Sequence, residues 1–293
     1  MMFSGSMVAI VTPFHNGAVD EEKLRQLVKF QINKGTSAIV PCGTTGESAT
    51  LTHEEHNQVV SIIVDAVGKK VPVIAGTGSN STKEAIQLTR RAREVGADAA
   101  LLITPYYNKP TQEGLFQHYK AVAETVDIPL ILYNVPGRTS VNMLPQTVER
   151  LAQFDNIVGI KEASGSLSQV TEILQRCKDA ITVLSGDDAL TLPILAVGGK
   201  GVISVAANII PGRMAELANL CLQGEWPKAK DLNLILCPLF KALFYETNPI
   251  PVKTALFLMG MIRDEFRLPL CAMSDWNFSK FKEILVEYQL LPG

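Results

Sequence analysis

No run of about 18 uncharged apolar residues occurs in the 293-residue chain, so no transmembrane helix is expected. The opening Met1-Met2-Phe3-Ser4-Gly5-Ser6 lacks the basic start and long apolar stretch of a signal peptide. Cys-x-x-Cys is absent too. The five cysteines, at 42, 177, 221, 237 and 271, are odd in number and widely spaced. A disulfide framework and a thiolate zinc site are therefore not expected, and reduced thiols in a soluble, cytoplasmic protein are the simpler reading. Charge is scarce at 19%, against a usual share of about 25%, which hints that some surface lies in a subunit interface. There is no basic block, and 27 basic against 29 acidic residues leave a net charge of −2, so nucleic acid is not an expected partner. His53-Glu54-Glu55-His56 spaces its histidines by three, where the zinc-protease helix needs four; no metal site is expected.

What is present is apolar and periodic. At 47% hydrophobic, a chain of this length can bury a large core. Short runs of Val, Ile, Leu and Ala recur at Met7–Val11, Ala38–Pro41, Val71–Ala75, Ala99–Ile103, Leu130–Tyr133, Ile157–Ile160, Ile181–Leu184 and Val202–Val205. They show no period of two. Continuous apolarity suits a strand covered on both faces, hence a parallel sheet. Helical patterns lie between them. Residues 20–33 put Leu24, Leu27 and Val28 on one stripe, with Asp20 as N-cap and Glu21 and Glu22 in the first turn. Thr52-His53-Glu54-Glu55 and Ser81-Thr82-Lys83-Glu84 both read as capping boxes, and further helices are expected near 111–125, 144–153, 167–177, 188–197 and 211–223.

Eight strand–helix units predict an α/β fold, a (β/α)8 TIM barrel over residues 1–224. A doubly wound open sheet fits less well, and no Gly-x-Gly-x-x-Gly follows the first strand. Residues 225–293 read as helices only, a C-terminal helical extension packed on the barrel.

Barrel enzymes build their sites at the carboxyl ends of strands. Those ends here carry Gly43-Thr44-Thr45-Gly46-Glu47, Thr104-Pro105-Tyr106-Tyr107, Tyr133-Asn134-Val135-Pro136-Gly137-Arg138, Lys161-Glu162 and Ser185-Gly186-Asp187-Asp188. Lys161 directly follows an apolar run, so its amine should enter a desolvated barrel mouth. Burial disfavours an ammonium, and a neutral amine attacks ketones to give a Schiff base, an electron sink for carbanion chemistry. The bland alternative is a strand-end lysine paired with Glu162 or Asp187. Tyr133, one strand over, could shuttle protons or be a core aromatic with a satisfied hydroxyl. The turn from Gly43 to Gly46 could hold a carboxylate on the N–H groups of Thr44 and Thr45, or be an ordinary connection. Arg138 suits a second carboxylate or a structural ion pair. Asp187 and Asp188 argue against a phosphate site after the seventh strand.

These motifs, with Gly159-Ile160-Lys161-Glu162-Ala163 and Asn248-Pro249-Ile250-Pro251-Val252-Lys253, resemble the dihydrodipicolinate synthase family, in the N-acetylneuraminate lyase group of Schiff-base aldolases. The resemblance spans nearly the whole chain. It implies a lyase that condenses pyruvate with L-aspartate-4-semialdehyde, toward diaminopimelate and lysine, without metal or organic cofactor. Lys161 would carry the Schiff base, with Tyr133 as proton donor and acceptor, linked through Thr44 to Tyr107 of a neighbouring subunit. Thr45 and the Thr44 amide would hold the pyruvate carboxylate, Arg138 that of the semialdehyde, and Gly186 and Ile203 would line the pyruvate pocket. The resemblance further implies an effector site for L-lysine at Ser48, Ala49, His53, His56, Asn80, Glu84 and Tyr106, and a homotetramer of two tight dimers. A sugar-acid or neuraminate-type aldolase, and a non-catalytic ligand-sensing barrel, are the alternatives.

Overall fold

Eight short strands are laid down along the first two hundred residues: β1 (Gly5–Ala9), β2 (Ala38–Val40), β3 (Ile74–Gly76), β4 (Ala99–Ile103), β5 (Leu130–Asn134), β6 (Ile157–Glu162), β7 (Thr182–Ser185) and β8 (Gly201–Ser204). The computed structural model describes residues 3–292; Met1, Met2 and Gly293, which belong to the leader reading and to the ends of the two expected domains, lie outside the described residues. The strands pair in parallel in the order β2-β1-β8-β7-β6-β5-β4-β3. A parallel bridge between Ile39 and Val73 joins the two ends and completes a (β/α)8 barrel.

The absence of alternation in the sequence now has its reason. Met7, Val40, Leu101, Ile131, Leu184 and Ile203 pack inside the barrel, while Val8, Ile39, Leu102, Leu132, Val183 and Val202 meet the surrounding helices. Both faces of every strand are apolar because both are covered.

The helices are α1 (Glu21–Asn33), α2 (His53–Val67), α3 (Thr82–Glu94), α4 (Gln112–Thr125), α5 (Pro136–Thr139), α6 (Pro145–Leu151), α7 (Leu167–Cys177), α8 (Thr191–Ala196) and α9 (Pro211–Leu222). Asp20 caps α1 through the Lys23 N–H, and Thr52 with Glu55 forms a complete capping box on α2. The expected box on α3 is only half made. Ser81 accepts from the Glu84 N–H, but the Glu84 carboxylate turns away to Ser79 and His53. The short α5 was not anticipated; it follows β5 and carries Arg138. A hairpin of Phe14–His15 with Ala18–Val19 was also missed, although Asn16-Gly17 supplies the two positive φ values its turn needs.

Beyond the barrel lie α10 (Trp226–Ala242), α11 (Ile250–Leu258) and α12 (Asp275–Glu287). Leu236, Leu239, Phe240, Leu256 and Phe281 of this extension share one apolar cluster with Leu24, Val59, Ile63 and Met214 of the barrel helices. That shared burial joins the extension to the barrel, with α10 lying against α8 and α9. No described helix is long and apolar enough to cross a membrane.

Candidate active site at the barrel mouth

The aim of Lys161 depends on an irregularity in β6. Leu130 pairs with Ile157, but the next residue, Ile131, pairs with Gly159, so β6 carries one extra residue. Ile157 and Ile160, three apart, consequently both face the helical shell. A regular strand would place them on opposite faces. The bulge reverses the parity and turns Lys161 inward, in register with Tyr133 of β5. Its Nζ lies 4.2 Å from the centroid of the Tyr133 ring. The residue is 6% exposed. The proposed ion pairs are not formed: Glu162 instead accepts from Asn134, Ser164 and Gln169, and Asp187 from the Ala189 N–H.

Lys161 and Tyr133 open into a cavity of about 150 Å³, whose wall also includes Thr44, Thr45, Arg138, Gly186, Asp187, Val205 and Asn248. In the turn after β2, the N–H groups of Gly46, Glu47 and Ser48 are consumed internally, whereas those of Thr44 and Thr45 make no intramolecular bond among the described residues. The turn thus offers two adjacent amide donors, the arrangement that binds an anion. Arg138 faces it, its Nη2 held 3.1 Å from the Asn248 carbonyl oxygen. Ile203, expected in the pocket, packs within the barrel among Met7 and Leu184, and Val205 takes the place at the wall. Tyr107 is 89% exposed and lines neither cavity described here.

Gly186 earns its place sterically. A Cβ there would lie 2.7 Å from the Ala163 Cβ and 3.0 Å from the Lys161 Cε. Gly186→Ala is expected to slow adduct formation at Lys161 by about tenfold or more, since roughly 1.4 kcal/mol of crowding is a factor of ten. Pre-steady-state trapping of the adduct reads this directly; an unaltered rate would show that the lysine stem can move aside.

Buried Asp188, two residues further on, is a fold element. Its Oδ2 accepts from the N–H groups of Val205 and Ala206 at 3.1 and 2.8 Å. Burial pushes its carboxyl up to about 6 from 3.8. A folded value above the unfolded one means that its stabilising contribution is complete below about pH 3.8 and is lost as pH rises through 6. Asp188→Asn is expected to remove that part of the stability loss between pH 4 and 7, measured by urea unfolding at each pH. Parallel wild-type and variant profiles would refute it.

Above the mouth is a second cavity of about 530 Å³, sharing Gly43, Thr44, Tyr133, Arg138 and Asn248 with the first. Ser48, Ala49, His53, His56, Glu84 and Tyr106 line it. Asn80 does not; its carbonyl accepts from Asn108. His53 Nε2 lies 2.8 Å from Glu84, and His56 Nε2 lies 2.7 Å from the Gly76 carbonyl oxygen. The Ser79 hydroxyl and His53 hold the Glu84 carboxyl below its usual range, and burial lowers His56.

Three residues that the motifs contained but sequence reasoning gave no role stand behind the Thr44–Thr45 turn. Asn248 donates to the Thr45 hydroxyl, and Lys253 of α11 forms a wholly buried ion pair with Glu47. Glu47 itself has φ of 53°. Only their distant pairing in the fold, 203 and 206 residues apart, reveals the link.

A parallel barrel with an inward, unpaired lysine beside a tyrosine, facing amide donors and a guanidinium, defines a barrel enzyme of the amine-nucleophile class. The model of the Dihydrodipicolinate synthetase family matches residues 2–288, and the chain belongs to that family. It is 63% identical over 290 residues to the 4-hydroxy-tetrahydrodipicolinate synthase of Geobacter sulfurreducens, covering 99% of this chain and 100% of that one. The dihydrodipicolinate synthase of Aquifex aeolicus superimposes with a TM-score of 0.98 at 51% identity, over 99% and 100% of the two chains. The Acinetobacter baumannii enzyme, solved in complex with pyruvate, gives 0.97 at 48%, over 98% and 99%. The enzyme of Cyanidioschyzon merolae, solved with lysine bound, gives 0.96 at 40%, over 99% of each chain.

Proposed function

We propose that this chain condenses pyruvate with L-aspartate-4-semialdehyde, the 4-hydroxy-tetrahydrodipicolinate synthase reaction for which its relatives are named, through a Schiff base on Lys161. The observation that carries the reading is the unpaired Lys161 amine beside Tyr133, in a cavity that also presents free amide donors. The amine attacks C2 of pyruvate, and loss of water from the carbinolamine leaves an iminium. Loss of a C3 proton gives the enamine, whose C3 attacks the aldehyde carbon of the semialdehyde. The amino group of that product then closes on the iminium carbon and expels the lysine amine, so the enzyme is regenerated.

Tyr133 moves the protons of these steps, with the Thr44 hydroxyl next in line. Tyr107 joins the relay from a neighbouring copy of the chain, a role in keeping with its 89% exposure. Thr45 and the Thr44 amide bind the pyruvate carboxylate, Arg138 binds the semialdehyde carboxylate, and Gly186 keeps the pocket open, with Ile203 beneath it. A hydroxylated sugar-acid aldehyde would leave the guanidinium poorly paired, which favours the semialdehyde. A cytoplasmic location and a homotetramer of two dimers belong to the same proposal.

Borohydride reduction with pyruvate present, followed by peptide mass mapping, is expected to trap pyruvate on Lys161; no adduct would favour a sensing barrel. Arg138→Ala is expected to give the same adduct yield while condensation falls by about 100-fold, the scale of a lost charge-assisted contact of roughly 3 kcal/mol. Normal activity of that variant on the semialdehyde would overturn the substrate assignment.

The larger cavity supports a second element, feedback by L-lysine. Glu84 suits an amine of the effector, and Ser48, Ala49, His53, His56 and Tyr106 complete the surroundings, while Asn80 stands outside this wall. Shared wall residues link this cavity to the mouth, and linkage makes any coupling reciprocal. Lysine without effect on turnover would remove this element.

A further inference from the structure

Asn248 is nearly sealed, at 5% exposed, yet forms part of the wall of both cavities. Its Nδ2 donates to the Thr45 Oγ1 at 2.9 Å, and its main-chain oxygen accepts from Arg138 at 3.1 Å. Its Oδ1 has no partner, so the side chain touches the turn only as a donor. A hydroxyl that accepts a hydrogen bond keeps its own proton for another acceptor. The Thr45 hydroxyl is thereby committed to donate, and the cavity is where a carboxylate would receive that proton.

Asn248 is held from both sides. It lies two residues before α11, and in the first turn of that helix the Lys253 ammonium reaches Glu47, at the far end of the Gly43–Glu47 turn. Lys253 Nζ also donates to the Glu265 carbonyl at 2.7 Å. The start of α11 therefore meets the Gly43–Glu47 turn at Thr45 and again at Glu47. Thr12 bonds the Gly46 carbonyl at 2.7 Å between them, leaving the turn little freedom to rotate.

We propose that Asn248 is a positioning residue for the carboxylate site: by donating to Thr45 it sets that hydroxyl to point its proton at pyruvate. The C-terminal extension is, on this account, part of the substrate-binding apparatus. The inference rests on the pyruvate reading above, and its test separates the two.

Wild type, Asn248→Ala, Thr45→Val and the double variant are titrated with pyruvate under borohydride, and the trapped fraction of Lys161 is measured by mass spectrometry. Wild type is expected to be trapped at Lys161. Asn248→Ala is expected to raise the half-saturating pyruvate concentration by about fivefold or more, with the same maximal yield, the scale of losing one oriented hydrogen bond. The double variant is expected to be no worse than Thr45→Val, because Asn248 acts only through that hydroxyl. A shift below twofold in Asn248→Ala, or effects that multiply in the double variant, would overturn the assignment. A wild-type protein that traps no pyruvate would instead overturn the Schiff-base reading. If Asn248→Ala does not fold, Asn248→Ser, which keeps a small polar group, is read against the same limits.

Discussion

Lys161→Ala is expected to remain folded and to lose both the trapped pyruvate adduct and the condensation, the latter by about 10,000-fold or more. Folding should survive because the amine holds no ion pair and its stem borders an existing cavity, so truncation enlarges an opening rather than emptying a packed core. Catalysis should not survive, because covalent capture is the step on which the later ones depend; losing it removes more than about 5 kcal/mol of barrier reduction. Lys161→Arg is the control for charge: it keeps a cation in the mouth but supplies no nucleophile, since guanidinium stays protonated. Circular dichroism and melting temperature check the fold, and coupled turnover with both substrates checks the rate. Retention of even a hundredth of wild-type turnover by the Ala variant would show that the chemistry does not pass through this amine.

The second large effect lies behind the site. Lys253→Met is expected to destabilise the protein by about 3–5 kcal/mol, because it removes the counter-charge of Glu47 in a sealed interior and leaves its carboxylate only the Arg267 N–H. Side-chain exposure is 1% for Lys253 and 0% for Glu47, so water cannot replace the lost partner. Burial lowers the Lys253 value from its usual range, and the neighbouring Glu47 charge opposes that shift. Phe14 and Phe266 lie over the ammonium at 4.4 and 5.0 Å, giving a methionine stem apolar company. Adding Glu47→Gln removes the stranded charge, and the double variant should recover most of the loss. Urea unfolding of wild type, single and double variants measures this. A single variant within about 1 kcal/mol of wild type would mean that Glu47 reaches solvent or takes up a proton without penalty.

Much of this is legible in the sequence, for physical reasons that differ by residue. The strands declared themselves as short apolar runs because both faces are covered, and the Thr52 box declared α2 because local hydrogen bonding alone decides a cap. Glu84 was misread as a box member because its carboxylate obeys a tertiary partner, His53, 31 residues away. The resemblance puts Ile203 at the pocket, but it packs deeper in the barrel interior, and Val205, two residues further along, reaches the wall. Asn248 and Lys253 stood in a recognised motif without a role, since nothing in a linear reading pairs them with a turn two hundred residues earlier. Tyr107 is the opposite case: the resemblance gives it a relay role, but within one copy of the chain it is 89% exposed.

The extra residue in β6 has a bearing on protein engineering. Transplanting residues 157–163 into an ideally pleated donor strand, aligned so that Ile157 keeps its outward face, would send the amine outward, against the helices, while every letter of the motif stayed intact. A grafted copy must therefore carry the odd count of residues beneath the lysine, and a scan for letters alone cannot tell an aimed nucleophile from a misdirected one.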